Sequence, residues 1–197
     1  LLLNTSTTHT DLEAINNLNE EAWQLRYRDR EKATTLSEDA RQCAQKLDYK
    51  AGVAHAQLLQ AFSDFWQAKE GNHLLVALEC LAVFREQEDE RGQVRALFVS
   101  SSIYDQLGEY EKGIELCLEA IKLAESHSYK SDLADALSSL GKIHSRIGDY
   151  QNAIDSFTRS LGIRRERGEE LAVASSLNLI ARNYTLKKDF EKAKEYY

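Results

Sequence analysis

Proline and methionine are both missing from these 197 residues, and only 9 glycines occur. Cysteine is limited to three, Cys43, Cys80 and Cys117, too few and too widely spaced for a disulfide framework. They read as small apolar residues buried on helices in a reducing compartment. No CxxC and no HxxxH is present, so a zinc site has no support. No apolar run reaches the roughly 18 to 20 residues that a membrane helix needs. The opening Leu1-Leu2-Leu3 is too short for a signal-peptide core and has no basic flank. A surplus of basic residues is also missing: the net charge is −7, so a broad phosphate-binding face is not expected. Nor is there a glycine-rich phosphate loop or a nucleophile elbow, and Ser, His and Asp do not group by spacing. No catalytic residue, cofactor or metal ligand is assigned.

What is present is 43% apolar and 29% charged, which suits amphipathic helices. The stretch Leu133 to Leu161 shows the pattern most clearly. Two helical stripes meet at Gly148-Asp149. Small residues (Ala136, Gly141, Ala153) stand where helices would touch, and larger ones (Leu137, Leu140, Ile147, Tyr150, Ile154, Phe157) surround them. A shift of about 40 residues lands on similar side chains: Ala56, Ala96, Ala136 and Ser176; Leu97, Leu137 and Leu177; Tyr110, Tyr150 and Phe190; Ala33, His73, Gly113, Ala153 and Ala193. Tyr49-Lys50 and Tyr129-Lys130 match at twice that interval. Two helices per unit, none able to bury its face alone, predict an all-α stack of antiparallel helix pairs sharing one core.

The expected organisation is a loose segment over 1–9 and a solenoid over 10–197. Its repeats span about 10–52, 53–92, 93–132, 133–170 and an incomplete 171–197. Thr10-Asp11-Leu12-Glu13 has capping-box spacing and predicts the first helix start. The absence of Met at position 1 and the end inside a helical pattern at Tyr197 suggest a piece of a longer protein.

In repeat four, Leu140-Gly141, His144, Gly148-Asp149-Tyr150, Ala153, Phe157 and Ser160 resemble the tetratricopeptide repeat. Tyr104, Gly108, Tyr110 and Ala120 in repeat three, and Ala181, Tyr184, Phe190 and Ala193 in repeat five, follow it. The 40-residue period and missing proline depart from the usual repeat of about 34 residues. They resemble the longer variety of kinesin light chains, maltose-type activators and bacterial cyclase sensory regions. The resemblance implies a right-handed superhelix whose first helices line a concave, peptide-binding groove.

The groove residues are those beside the core stripe. In repeats one and two, strict 40-residue spacing would bury Asn17, Glu21, Gln24, Gln57 and Asp64, which is costly. A one-residue offset instead buries Ile15, Leu18, Ala22, Leu25, His55, Leu58, Phe62 and Phe65. The expected peptide-binding residues are then Asn19, Trp23, Arg26, Tyr27, Leu59, Trp66, Arg95, Phe98, Lys142, Arg146, Asn178 and Arg182. Trp23 and Trp66 are either groove anchors or packed between repeats; both alternatives stay open. Five cations on this face (Arg26, Arg95, Lys142, Arg146, Arg182) against Asp105 and Asp135 favour an acidic peptide or a terminal carboxylate. Local pairing, such as Asp135 with Arg95, is the competing reading. The function expected is a protein-interaction scaffold in a larger cytoplasmic, bacterial signalling protein, without catalysis and without nucleic-acid or membrane partners. The alternative is a self-association module that dimerises an attached domain.

Overall fold

A computed structural model describes residues 5–197, with side chains from His9 onward. The described residues form ten α-helices and no strand: α1 (Thr5–Leu25), α2 (Arg30–Lys46), α3 (Lys50–Trp66), α4 (His73–Glu86), α5 (Glu90–Leu107), α6 (Tyr110–Ser126), α7 (Lys130–Arg146), α8 (Tyr150–Glu166), α9 (Glu170–Leu186) and α10 (Phe190–Tyr196). They pack in consecutive pairs, the tetratricopeptide-like stack of helical hairpins that the 40-residue period predicts. α1 begins at Thr5, ahead of the Thr10 capping box, so positions 5–9 are helical rather than loose. Residues 1–4 of the expected loose segment lie outside the described residues.

A second period, half as long, governs the turns. Asp48, Ala68, Glu88, Gly108, Ser128, Gly148, Gly168 and Lys188 all have left-handed φ, between 51° and 84°, and stand 20 residues apart. Each sits just past a helix end. The amide that follows it bonds five residues back: Tyr49 N–H to the Ala44 carbonyl (2.9 Å), Asp89 to Phe84 (2.9 Å), Asp149 to His144 (2.9 Å) and Asp189 to Tyr184 (2.9 Å). This is the Schellman closure that satisfies the last carbonyls of a helix. Asp149 and Asp189 then cap the next helix by accepting from the backbone N–H of Asn152 and Lys192. One residue closes one helix and its neighbour opens the next, which keeps the turns short and the hairpins in register.

The chain divides into two compact units, Leu1–Val99 and Ser100–Tyr197, with the division inside α5. In the first, α1 packs on α2 and also on α3. Its core includes Ile15, Ala40 and Ala44, supported by Leu18, Tyr49 and Val53. The predicted offset holds in part: Gln57 is exposed while Ile15, Ala22, Leu58 and Phe62 are buried, but Leu18, Leu25, His55 and Phe65 are half-buried and Ala61 of the strict frame is buried as well. Gly92 is needed because a Cβ there would stand 2.4 Å from the Phe84 ring. In the second unit, α8 packs on α7 and α9, and α8 and α9 share a core of Ala153, Ile154, Phe157, Leu161 and Ile180. Gly141 lets the Phe157 ring approach, since an added Cβ would lie 2.8 Å from it. Cys80 and Cys117 are buried, and burial pushes their thiols up to about 12 and about 11. Cys43 is exposed on α2, which corrects the expectation that all three cysteines are buried.

Candidate functional site

The first helices of the hairpins in unit 1 are α1, α3 and the first half of α5. They present two adjoining features, an aromatic cluster and a polar recess. The cluster forms where α1 and α3 end. Trp23, only 4% exposed, packs on Phe62 (ring centroids 6.0 Å) and edge-on to Phe98 (6.4 Å). The Arg26 guanidinium lies 4.4 Å from the Trp23 ring and 4.5 Å from the Tyr27 ring, a cation–π arrangement that shields its charge. Phe62 is buried beneath two rings that stay in solvent. Tyr27 stands edge-on to it at 5.6 Å and Trp66 at 6.2 Å. Those two rings remain 60% and 43% exposed.

The recess, of about 540 Å³, lies toward the starts of α3 and α5. Asn16, Asn19, Glu20, Tyr49, His55, Asp89 and Arg95 are among its lining residues. Its cations are already engaged. Arg95 Nη2 is 2.6 Å from Glu20 Oε2, and Arg91 is 3.2 Å from Glu20 Oε1. His55 Nε2 is 2.7 Å from Asp89 Oδ2. Burial pushes the Glu20 carboxyl up, but the charge and hydrogen bond of Arg95, with Gln24 and Arg91, outweigh it and leave its pKa below the ordinary value. Burial acts on Asp89 in the same way and is outweighed by His55 and the Gly92 amide. Arg95 also reaches the Trp23 ring at 5.0 Å, so recess and cluster are continuous.

Unit 2 carries a different face. Ser101 and Ser102 on α5 and Ser138 and Ser139 on α7 are buried. Arg146 Nε is 2.9 Å from Asp105 Oδ1, and Arg164 Nη2 is 3.2 Å from Asp135 Oδ1. Burial holds the Asp105 carboxyl above its usual range despite Arg146 and Lys142. Lys142 keeps an accessible side chain, yet its ammonium lies deep enough among neighbouring groups that desolvation lowers its pKa against the pull of Asp135. Among the described residues, neither Lys142 nor Arg182 has an ion pair within 4 Å.

Six of the twelve expected site residues are thus buried: Asn19, Trp23, Arg26, Leu59, Arg95 and Phe98. In unit 1 the reason is that α1 packs against α3, so part of the face counted as open is interhelical. Asn19 Nδ2 donates to the Gly52 carbonyl at 3.0 Å across that contact. Tyr27, Trp66, Lys142, Arg146, Asn178 and Arg182 are exposed. The two tryptophans separate, Trp23 into the core and Trp66 onto the surface. Within the units, Arg95 pairs with Glu20 and Asp135 with Arg164. Sequence reasoning missed Glu20, Asp89 and Arg164. Arg164 could have been noticed as the odd member of the column Ala44, Phe84, Ala124.

No metal-binding group of three or more His, Cys, Asp or Glu side chains occurs among the described residues. No helix among them is long and apolar enough to cross a membrane. The family model for the tetratricopeptide repeat matches residues 100–166 and again 132–197. No curated protein matches. Similar solved structures include a signal-transduction ATPase with numerous domains and a tetratricopeptide repeat sensor from Pyrococcus horikoshii (18% identity, TM-score 0.66, 94% of this chain and 29% of that one). BtubC from P. vanneervenii is similar at 17% identity and TM-score 0.69, over 95% of this chain and 87% of that one. A Rap protein complexed with competence and sporulation factor is similar at 16% and 0.67, over 89% and 49%. The chain therefore spans less than a third of the ATPase and about half of the Rap protein.

Proposed function

The chain belongs to the tetratricopeptide repeat family, and from that premise we propose that its first-helix faces hold a segment of a partner protein. That fold is generally a non-catalytic interaction module, and we assign no reaction to this chain. The observation that carries the reading is the exposed aromatic surface of unit 1, where Tyr27 and Trp66 stay in solvent, each edge-on to buried Phe62. Large amphipathic rings held by a rigid base are the usual anchors of interfaces, because they bring area at little entropic cost. The aromatic surface and recess are preformed, so binding needs little ordering of this chain. The neighbours support a regulatory setting: one carries its repeats as a sensor and another is complexed with competence and sporulation factor. We place the chain in a larger cytoplasmic signalling protein, without a cofactor.

The acidic-partner expectation narrows to unit 2. Arg95 and Arg146 are occupied by Glu20 and Asp105, which leaves Lys142 and Arg182 to receive a carboxylate, with Asn178 exposed on the same helix as Arg182. Capture of partner from a cell extract by the wild-type chain, Trp66→Ala and Tyr27→Ala tests the reading. Wild-type capture that both variants lose supports it, and undiminished capture by both overturns it. Self-association is the second reading. It is favoured by Leu171 (73% exposed) on α9 and Phe190 on α10, and a monomer in light scattering would remove it.

A further inference from the structure

We infer that unit 1 selects its partner segment by charge: the recess takes a Lys or Arg side chain of the same segment whose apolar residue seats on the Tyr27–Phe62–Trp66 rings. The inference rests on the proposed function and deepens it. Inside the recess Arg91 and Arg95 share the Glu20 carboxylate and His55 meets that of Asp89, so the lining sets four carboxylates (Glu20, Glu88, Asp89 and Glu90) against two guanidiniums. Glu88 and Glu90 also line it, and neither has an ion pair within 4 Å among the described residues. The charge left over is therefore negative, the opposite of what the cations of the sequence suggest for this face.

The geometry fits one continuous segment. His55 and Trp66 lie on the same helix, one at the recess and one among the rings. Between them α3 rises about 16 Å, a distance that about five residues of extended chain cover. Trp23 and Arg95 bridge the two sites by direct contact, so nothing unrelated separates them. The carboxylates of Glu88 and Glu90 sit around the turn between α4 and α5, outside the packed core, where a cationic head can meet them while its alkyl stem lies along the recess wall.

The test uses the full chain and three fluorescein-labelled peptides with blocked ends. Each carries one phenylalanine and, about five residues on along a Gly/Ser spacer, a lysine, a glutamine or a glutamate. Anisotropy titrations should rank lysine over glutamine over glutamate. The span from first to last should be about tenfold at low salt and should shrink at high salt. Glu88→Lys with Glu90→Lys should invert the ranking, and Glu88→Gln with Glu90→Gln should flatten it. Equal affinities for the three peptides, still sensitive to Trp66→Ala, would overturn the charge inference and leave the reading of the aromatic surface standing. A preference for glutamate in the wild-type chain would overturn it as well. Absence of any Trp66-dependent binding would remove both.

Discussion

The two units are built from the same hairpin but differ in the chemistry of their first helices. In unit 1 the first helices meet through rings, and the surface between them is aromatic, with Arg91 and Arg95 closed onto Glu20. In unit 2 the first helices bury serines and carboxylates, and among the described residues neither Lys142 nor Arg182 has an ion pair within 4 Å. The hairpin contacts lie in the small-residue columns, which both units share. The neighbouring columns are free to diverge without disturbing the fold. One scaffold can thus carry an apolar site with surplus acid in one half and a polar site with surplus base in the other.

The buried ion pairs separate the units most strongly. Arg164→Ala should cost about 3 kcal/mol, because Asp135 is buried and loses its main counter-charge. Arg95→Ala should cost about 1–2 kcal/mol, because Glu20 keeps Arg91. Denaturant titrations of both variants check the order, and equal losses would break the comparison. Adding Asp135→Ala to Arg164→Ala should return part of the loss.

Next come the binding faces. Trp66→Ala should weaken partner capture about tenfold, near 1.4 kcal/mol, with little effect on melting. Lys142→Glu with Arg182→Glu should weaken an acidic partner by a smaller factor, about threefold, and flatten its salt dependence.

Acid should act on unit 1 first. Glu20 and Asp89 have depressed pKa values in the folded chain, so the stability they give is present above their unfolded values and lost as pH falls through the folded ones. Asp105 in unit 2 has a raised value, so its burial becomes less costly as it protonates on the same descent. Asp149, depressed by its cap bonds to Asn152, lies near the surface and weighs little. Hydrogen exchange below about pH 4 should show α1 and α3 losing protection before α7 and α8. The reverse order would contradict the electrostatic account.

The smallest effects belong to the turns. Ala68→Gly and Glu88→Gly relieve left-handed backbone and should stabilise by about 0.5–1 kcal/mol. Gly108→Ala and Gly148→Ala should cost about 1 kcal/mol, read as shifts in melting temperature.

Much of the fold was legible because the small-residue columns are chemically uniform: Ala136, Gly141 and Ala153 can be matched across repeats by eye. The 20-residue turn period was not, because its left-handed position is filled by Asp, Ala, Glu, Ser, Lys or Gly, and only backbone conformation unites them. The offset in α1 and α3, as far as it holds, was legible from Asn17, Glu21 and Asp64, whose burial would be costly. The site was legible only in part. Helical periodicity places Trp23 and Trp66 on one face, but not which of them a neighbouring helix covers. Pairing was hidden for a similar reason. Arg95 and Glu20 are far apart in the chain, and no spacing rule links the middle of one first helix to the start of another two hairpins on.

The central claim is that the aromatic surface over Phe62 is a docking surface. The chain has two indole N–H groups, Trp23 buried and Trp66 exposed, which makes nuclear magnetic resonance of those two signals a direct reporter. Titration with the phenylalanine–lysine peptide should move the Trp66 indole resonance to saturation and leave the Trp23 resonance nearly in place. Binding that leaves the Trp66 resonance unmoved would contradict the account.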